Sequence, residues 1–318
     1  MPHTPHRQGI AAHARTRDGR ALFFTEQGQS RAGRPTVVFE AGMAASRSWW
    51  ALVQPPVAEL TRTIVYDRAG LGRSPRDPGP RTLARMADDL NDVVDQRGAG
   101  PFVLVAHSGG GPIARAAIAA RPERIAGPVL VEVPDEACDA LFEPSFRRLE
   151  RVAQRVTAAL ARLHLLHLFY RKAMTRLPAE ARQALHREGF TVAAIRTRGA
   201  ELAGLVAGMN AYRTQSPVLP DIPVTLISGA LCDSGMSPRI RAAANAAHAY
   251  RALGRAGPPR DCARLRPPGA ADRAAGHRRG DSTNARCGGC PARRVAAAPG
   301  PMPGAAGISA LQGVGRPR

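Results

Sequence analysis

Aromatic side chains are scarce in this sequence, at 4% of residues, and lysine is all but missing: Lys172 is the single one, so 44 of the 45 basic residues are arginine. No run of 18 apolar residues occurs, which excludes an ordinary transmembrane helix, and Met1 to Ile10 lacks the apolar centre of a secretory signal. A cytoplasmic location is the expectation. The five cysteines (Cys138, Cys232, Cys262, Cys287, Cys290) are an odd number in a long chain and imply no disulfide framework. Cys287 and Cys290 make one Cys-x-x-Cys pair, half of a tetrahedral zinc site, so neither a metal nor another cofactor is expected. The net charge of +20 is high, but no basic stripe is interleaved with aromatics, and neither nucleic acid nor membrane is expected as a partner. An arginine excess beside abundant Ala, Gly and Pro is what GC-rich coding produces. Half of that charge, 13 Arg against 3 Asp, sits in residues 251–318, which contain no Phe, Trp, Tyr, Lys or Glu.

What is present reads as a globular α/β protein. At 318 residues with 44% hydrophobic content the chain can hold one large α/β domain. Residues 10–26 alternate around Asp18-Gly19 and predict a hairpin. Short β-branched runs follow at Thr36–Glu40, Thr63–Asp67, Phe102–Ala106, Pro128–Val133 and Pro223–Ser228. Being apolar on both faces, they suit parallel strands covered by helices. Between them, Arg81–Arg97 places Leu83, Met86, Leu90, Val93 and Val94 at helical spacing, and Gly110–Arg121 is Ala-rich. Alternating strands and helices predict an open, mostly parallel sheet flanked by helices. Residues 135–219 show helical spacing alone and read as an insertion over the C-terminal edge of that sheet, the sheet domain being 10–134 and 220–250.

The most informative stretch is Phe102 to Gly111, FVLVAHSGGG, in which a buried-type strand ends in Ala106-His107-Ser108-Gly109-Gly110 and a helix follows. A serine on so tight a turn needs small residues two before and two after it, and Ala106 and Gly110 supply them. The helix beginning just past Ser108 aims its N-terminal dipole at any oxyanion formed there. His107 reads as a packed framework residue, because a base must approach from across the pocket. Two other segments accompany this turn: Glu40-Ala41-Gly42-Met43 directly after a strand, and Asp67 to Ser74 as D-x-x-G-x-G-x-S. The Gly-Leu-Gly of the latter lacks the third glycine of a dinucleotide-binding loop.

The ordered trio EAGM, DRAGLGRS and AHSGG resembles the α/β-hydrolase superfamily, in particular its esterase-like members, over about residues 10–250. The resemblance implies an α/β-hydrolase fold with residues 135–219 as a helical cap, Ser108 as nucleophile, and the backbone N–H groups of Met43 and Gly109 as oxyanion donors. It implies a serine hydrolase acting on a small ester, amide or lactone. In many relatives a histidine precedes the oxyanion glycine, and here Glu40-Ala41 stands there.

In this superfamily the acid and then the histidine follow the serine. Asp233, in the loop after Pro223–Ser228, is the first choice for the acid, with Glu132 and Asp135 as runners-up. The histidine is missing. His248 lies in an Ala-rich helix close behind the strand, and Arg278-Arg279-Gly280 follows His277 in place of an apolar, proline-containing segment. The alternative function is therefore a non-catalytic, ligand-binding member of the same fold. Ala, Gly, Pro and Arg make up 49 of the 68 residues from Arg251, too few large apolar groups for a core, so this tail is expected to be disordered or to be read in a shifted frame from about Leu253. With permitted codons, Pro258–Arg273 shifted by one base reads RHVIARASGHLVPLTE, which resembles the final strand and histidine motif of the superfamily, the histidine being encoded across the codon of Pro267.

Overall fold

A computed structural model describes residues 8–229 and 237–252, and the backbone of 294–298. Strands β1 (Ile10–Arg15) and β2 (Ala21–Gln27) form the expected antiparallel hairpin, turning at Gly19 with φ +88°. The chain continues through β3 (Thr36–Glu40), α1 (Gln54–Ala58), β4 (Thr63–Tyr66), α2 (Leu83–Asp95), β5 (Phe102–His107), α3 (Gly110–Ala120) and β6 (Ile125–Val131). Then come α4 (Pro144–Arg162), α5 (Leu166–Met174), α6 (Ala179–Ala184), α7 (Val192–Thr214), β7 (Thr225–Gly229) and α8 (Pro238–Ala252), and the backbone of Arg294–Ala298 adds β8. Residues 144–214 are helical throughout their elements, with one π turn at Leu185–Gly189.

The sheet order is β1-β2-β4-β3-β5-β6-β7-β8; β2 is antiparallel to both neighbours and every later pairing is parallel. The backbone of Arg294–Ala298 pairs in parallel with Thr225–Gly229. The other residues from 253 onward, and the shifted-frame reading, lie outside the described residues.

The central strands are buried on both faces, as their continuous β-branched runs require. On one face Leu83, Met86, Leu90 and Val93 of α2 and Ile113, Ala117 and Ile118 of α3 pack with Phe24, Ile64 and Leu104. On the other, Phe39 and Val65 meet Trp50. Thr82 caps α2 by accepting the Arg85 N–H at 3.2 Å, and Thr191 caps α7 by accepting that of Ala194 at 3.1 Å, satisfying donors that a helix start leaves unpaired. The order reverses between β3 and β5, so the loops after these strands open a crevice at their C-terminal ends, where ligands bind in open α/β sheets. Among the described residues no helix is long and apolar enough to cross a membrane.

Candidate active site

Ser108 leaves β5 with φ +50°, in the left-handed region that costs a residue with a Cβ of order 1–3 kcal/mol. The turn is held open by its surroundings. Ser108 N–H donates to the Val131 carbonyl at 3.0 Å and its carbonyl accepts from Gly111 at 2.9 Å. Ala106 is fully buried, and a Cβ at Gly110 would lie 2.7 Å from the Ala41 carbonyl oxygen, so the loop after β3 requires a glycine there. That loop comes equally close to the serine: a Cβ on Gly42 would be 3.3 Å from Ser108 Cβ. On the other side a Cβ on Gly109 would meet the Met43 side chain at 2.6 Å. Met43 and Gly109 are therefore brought together beside Ser108, and neither backbone N–H is taken by an acceptor among the described residues.

Two hollows meet at Ser108, of about 120 and 170 Å³, and Met43, Ser108, Glu150 and Leu202 border both. The first is walled by Trp49, Tyr170, Phe190 and Arg198, the second by Phe142, Phe146, Leu205, Val206 and Met209. Ala44, Ser108 and Glu132 all line these hollows and all have φ between 50° and 59°. Backbone strain thus gathers around one site, as it does where a fold serves a function.

The runner-up acids separate in space. Glu132, just past β6, lines the second hollow and pairs with Arg241 at 3.0 Å. Asp135 turns away into a buried cluster, holding Arg251 at 2.5 Å. The first choice, Asp233, and the histidine His277 lie outside the described residues. His248 does reach the second hollow, but its Nδ1 is 2.5 Å from Ser228 Oγ and its Nε2 is 2.7 Å from the Val133 carbonyl oxygen, which leaves no nitrogen for Ser108. One group was not foreseen: Glu150, buried on α4 beside Arg147 at 2.9 Å, whose carboxyl pKa is raised by its burial. Its signal was in the sequence, as a lone acid on a helix that otherwise carries Arg147, Arg148, Arg151, Arg155 and Arg162. Among the described residues no group of three or more His, Cys, Asp or Glu gathers as a metal site.

His107 packs edge-on to Trp50 with ring centroids 6.4 Å apart, and removal from solvent pushes its pKa down to about 4. It is a framework residue kept neutral. Its folded pKa lies below the unfolded value of about 6.5, so its contribution to stability is complete above pH 6.5 and is lost as pH falls toward 4. At about 1.4 kcal/mol per unit the loss amounts to at most about 3 kcal/mol. Urea unfolding between pH 6.5 and 4 should show this decline, and His107→Gln should remove most of it; an unaltered slope in the variant would rule His107 out as its source.

The sequence profile of a family described as alpha/beta hydrolase fold matches residues 35–219. An AB hydrolase superfamily protein from Gibberella zeae is 35% identical over 122 residues, 36% of this chain and 38% of that protein. A Caulobacter vibrioides protein named as the carbamate hydrolase RutD is 35% identical over 111 residues, 35% of this chain and 41% of that protein. The chain therefore spans about two fifths of the length of these curated relatives. Among solved structures, a Pseudomonas aeruginosa protein named as an epoxide hydrolase superposes with a TM-score of 0.58 at 19% identity, over 72% of this chain and 82% of that one. Est816, named as an N-acyl homoserine lactone degrading enzyme, does so with 0.54 at 18% identity, over 73% and 86%. Identity that low speaks for the fold alone. With a profile match across more than half its length and this strand order, the chain belongs to the alpha/beta hydrolase fold family.

Proposed function

We propose that the protein is a serine hydrolase of small esters, amides or lactones. The observation that carries this reading is Ser108, strained at φ +50° between two hollows, with the unaccepted N–H groups of Met43 and Gly109 beside it. Ser108 Oγ attacks the substrate carbonyl carbon, and the two N–H groups stabilise the oxyanion. The bond to the leaving oxygen or nitrogen breaks, the serine proton passes through a general base to the leaving group, and water then cleaves the acyl-enzyme; none of the described histidines supplies that base. The mostly apolar walls of the second hollow suit a short hydrocarbon arm, and residues 135–219 act as the cap. The names of the relatives, which speak of carbamate and lactone cleavage, fit carbonyl chemistry of this kind.

A fluorophosphonate probe should label Ser108 and leave Ser108→Ala unlabelled; a folded sample that takes no label would remove the catalytic claim. The acid in this reading is Asp233, with Glu132, a described carboxylate that lines the second hollow, as runner-up. The acid's own amide variant, Asp233→Asn or Glu132→Gln, should lower kcat by about a hundred-fold or more while the other leaves it nearly unchanged. Equal, small effects would eliminate both.

A second reading has its own support. His248 is the one histidine among the described residues that lines the second hollow, and both its nitrogens are engaged, so the chain as written fits a ligand-binding protein without turnover. Ester cleavage abolished by Ser108→Ala would exclude this.

A further inference from the structure

Glu40 ends β3, and its surroundings give it a task. Its carboxylate is fully buried, accepts from the Tyr66 hydroxyl, and takes Arg68 Nη1 at 2.5 Å. Arg68 is as deeply buried, at 1% exposure, and every one of its five N–H hydrogens has an acceptor. Nη1 donates to Glu40 and to the Ala41 carbonyl at 2.6 Å, Nη2 to the Gly42 carbonyl at 2.8 Å and to Glu201 Oε2 at 2.9 Å, and Nε to Glu201 Oε1 at 2.8 Å. Glu201 belongs to α7 and is itself fully buried. One guanidinium thus joins two consecutive carbonyls of the loop after β3 to a helix of residues 135–219.

In a planar trans peptide the C=O and the next N–H point in opposite directions. Fixing the Gly42 carbonyl on Arg68 therefore turns the Met43 N–H away from Arg68, and Gly42 lies against Ser108. Two buried carboxylates facing one guanidinium are a poor device for stability, because desolvating the charges offsets their attraction. Five fully used donors in a rigid plane are a good device for fixing geometry.

We propose that Arg68 is a positioning residue that sets the direction of the Met43 N–H, and that Glu201 makes that setting depend on α7 being seated. The oxyanion hole is then complete only beneath a docked cap. The value of this arrangement for catalysis rests on the serine hydrolase reading; the mechanical coupling does not.

The test compares the parent chain with Glu201→Gln, Arg68→Lys and Glu188→Gln. Glu188 is the control because it ties the same helical region to Arg47 at 2.8 Å, outside this cluster. The readouts are the ¹⁵N order parameter of Met43 and hydrogen exchange at Ala45, whose N–H donates to the same Gly42 carbonyl at 3.1 Å. In Glu201→Gln and Arg68→Lys the Met43 order parameter should fall from about 0.85 to below about 0.6, and Ala45 should exchange tenfold or more faster, in a chain that stays folded although its thermal midpoint drops because a buried charge loses its partner. Glu188→Gln should leave both readouts at parent values. A loop equally rigid in Glu201→Gln and the parent overturns the proposal, as does loosening that accompanies general unfolding in both cluster variants. Where an ester is turned over, the same two variants should lower kcat tenfold or more with KM within twofold. Loss of Ser108 labelling in the parent would instead count against the serine reading, leaving the loop measurements to judge Arg68.

Discussion

A chain translated from a gene corrected by one base near the codon of Leu253 should cleave a short aryl ester at least about a thousand-fold faster than the chain as written, with the gain lost again in Ser108→Ala. The size follows from the need for a base, which none of the described histidines supplies. A serine hydroxyl is a weak nucleophile at neutral pH, and removing the histidine of such a group costs about 10³- to 10⁶-fold in other serine hydrolases. No described histidine fills the role: His248 is committed to Ser228 and Val133, and His107 is buried in the framework. The shifted reading of Pro258–Arg273 supplies such a histidine, in a Ser-Gly-His that follows a short β-branched run. The nucleotide sequence decides first, since codons that cannot yield Gly-His across Pro267 end the proposal. A corrected chain that folds and cleaves no faster would end it as well.

The serine turn was legible because its signal is local. A strand, a turn and a helix within ten residues leave little freedom, and small residues at 106 and 110 state the packing requirement directly. Strand limits were less so. The run read as Pro128–Val133 is a strand over Ile125–Val131: Ile125 pairs with Phe102 despite an irregularity in register, and the strand stops where Glu132 takes φ +50°. Neither feature has a periodicity to betray it. The role of Glu40 was illegible for a different reason, since its partner Arg68 lies 28 residues away and Glu201 lies another 133 beyond that. The arginine excess was read as codon bias alone. That account was incomplete, for Arg68 and Arg115 are the largest fully buried side chains and each is paired with carboxylates. Composition counts charges, and only the fold shows which of them are enclosed.

Gly204→Ala should lower stability by about 3 kcal/mol or more, which for a domain of this size is a fall in Tm of roughly 6–12 °C. A Cβ at Gly204 would stand 1.8 Å from the Arg81 carbonyl oxygen, 2.8 Å from its carbon and 3.0 Å from Thr82 Cα, all backbone atoms at the start of α2. Backbone cannot rotate aside as a side chain can, so α7 must lift. Gly208, one turn on, meets only the Leu83 side chain, at 2.6 Å, and Gly208→Ala should cost less because that leucine can repack. The pair of glycines four apart puts both on one face of α7, and that face is what lets the helix lie directly on α2. Lifting α7 also withdraws Glu201 from Arg68 and shifts Leu205 and Met209 in the wall of the second hollow. The Gly204→Ala protein should therefore lose Met43 order to the same extent as Glu201→Gln, in addition to melting earlier. Melting within about 2 °C of the parent would mean that α7 does not rest on the start of α2, and thermal unfolding of the two alanine variants beside the parent reads that directly.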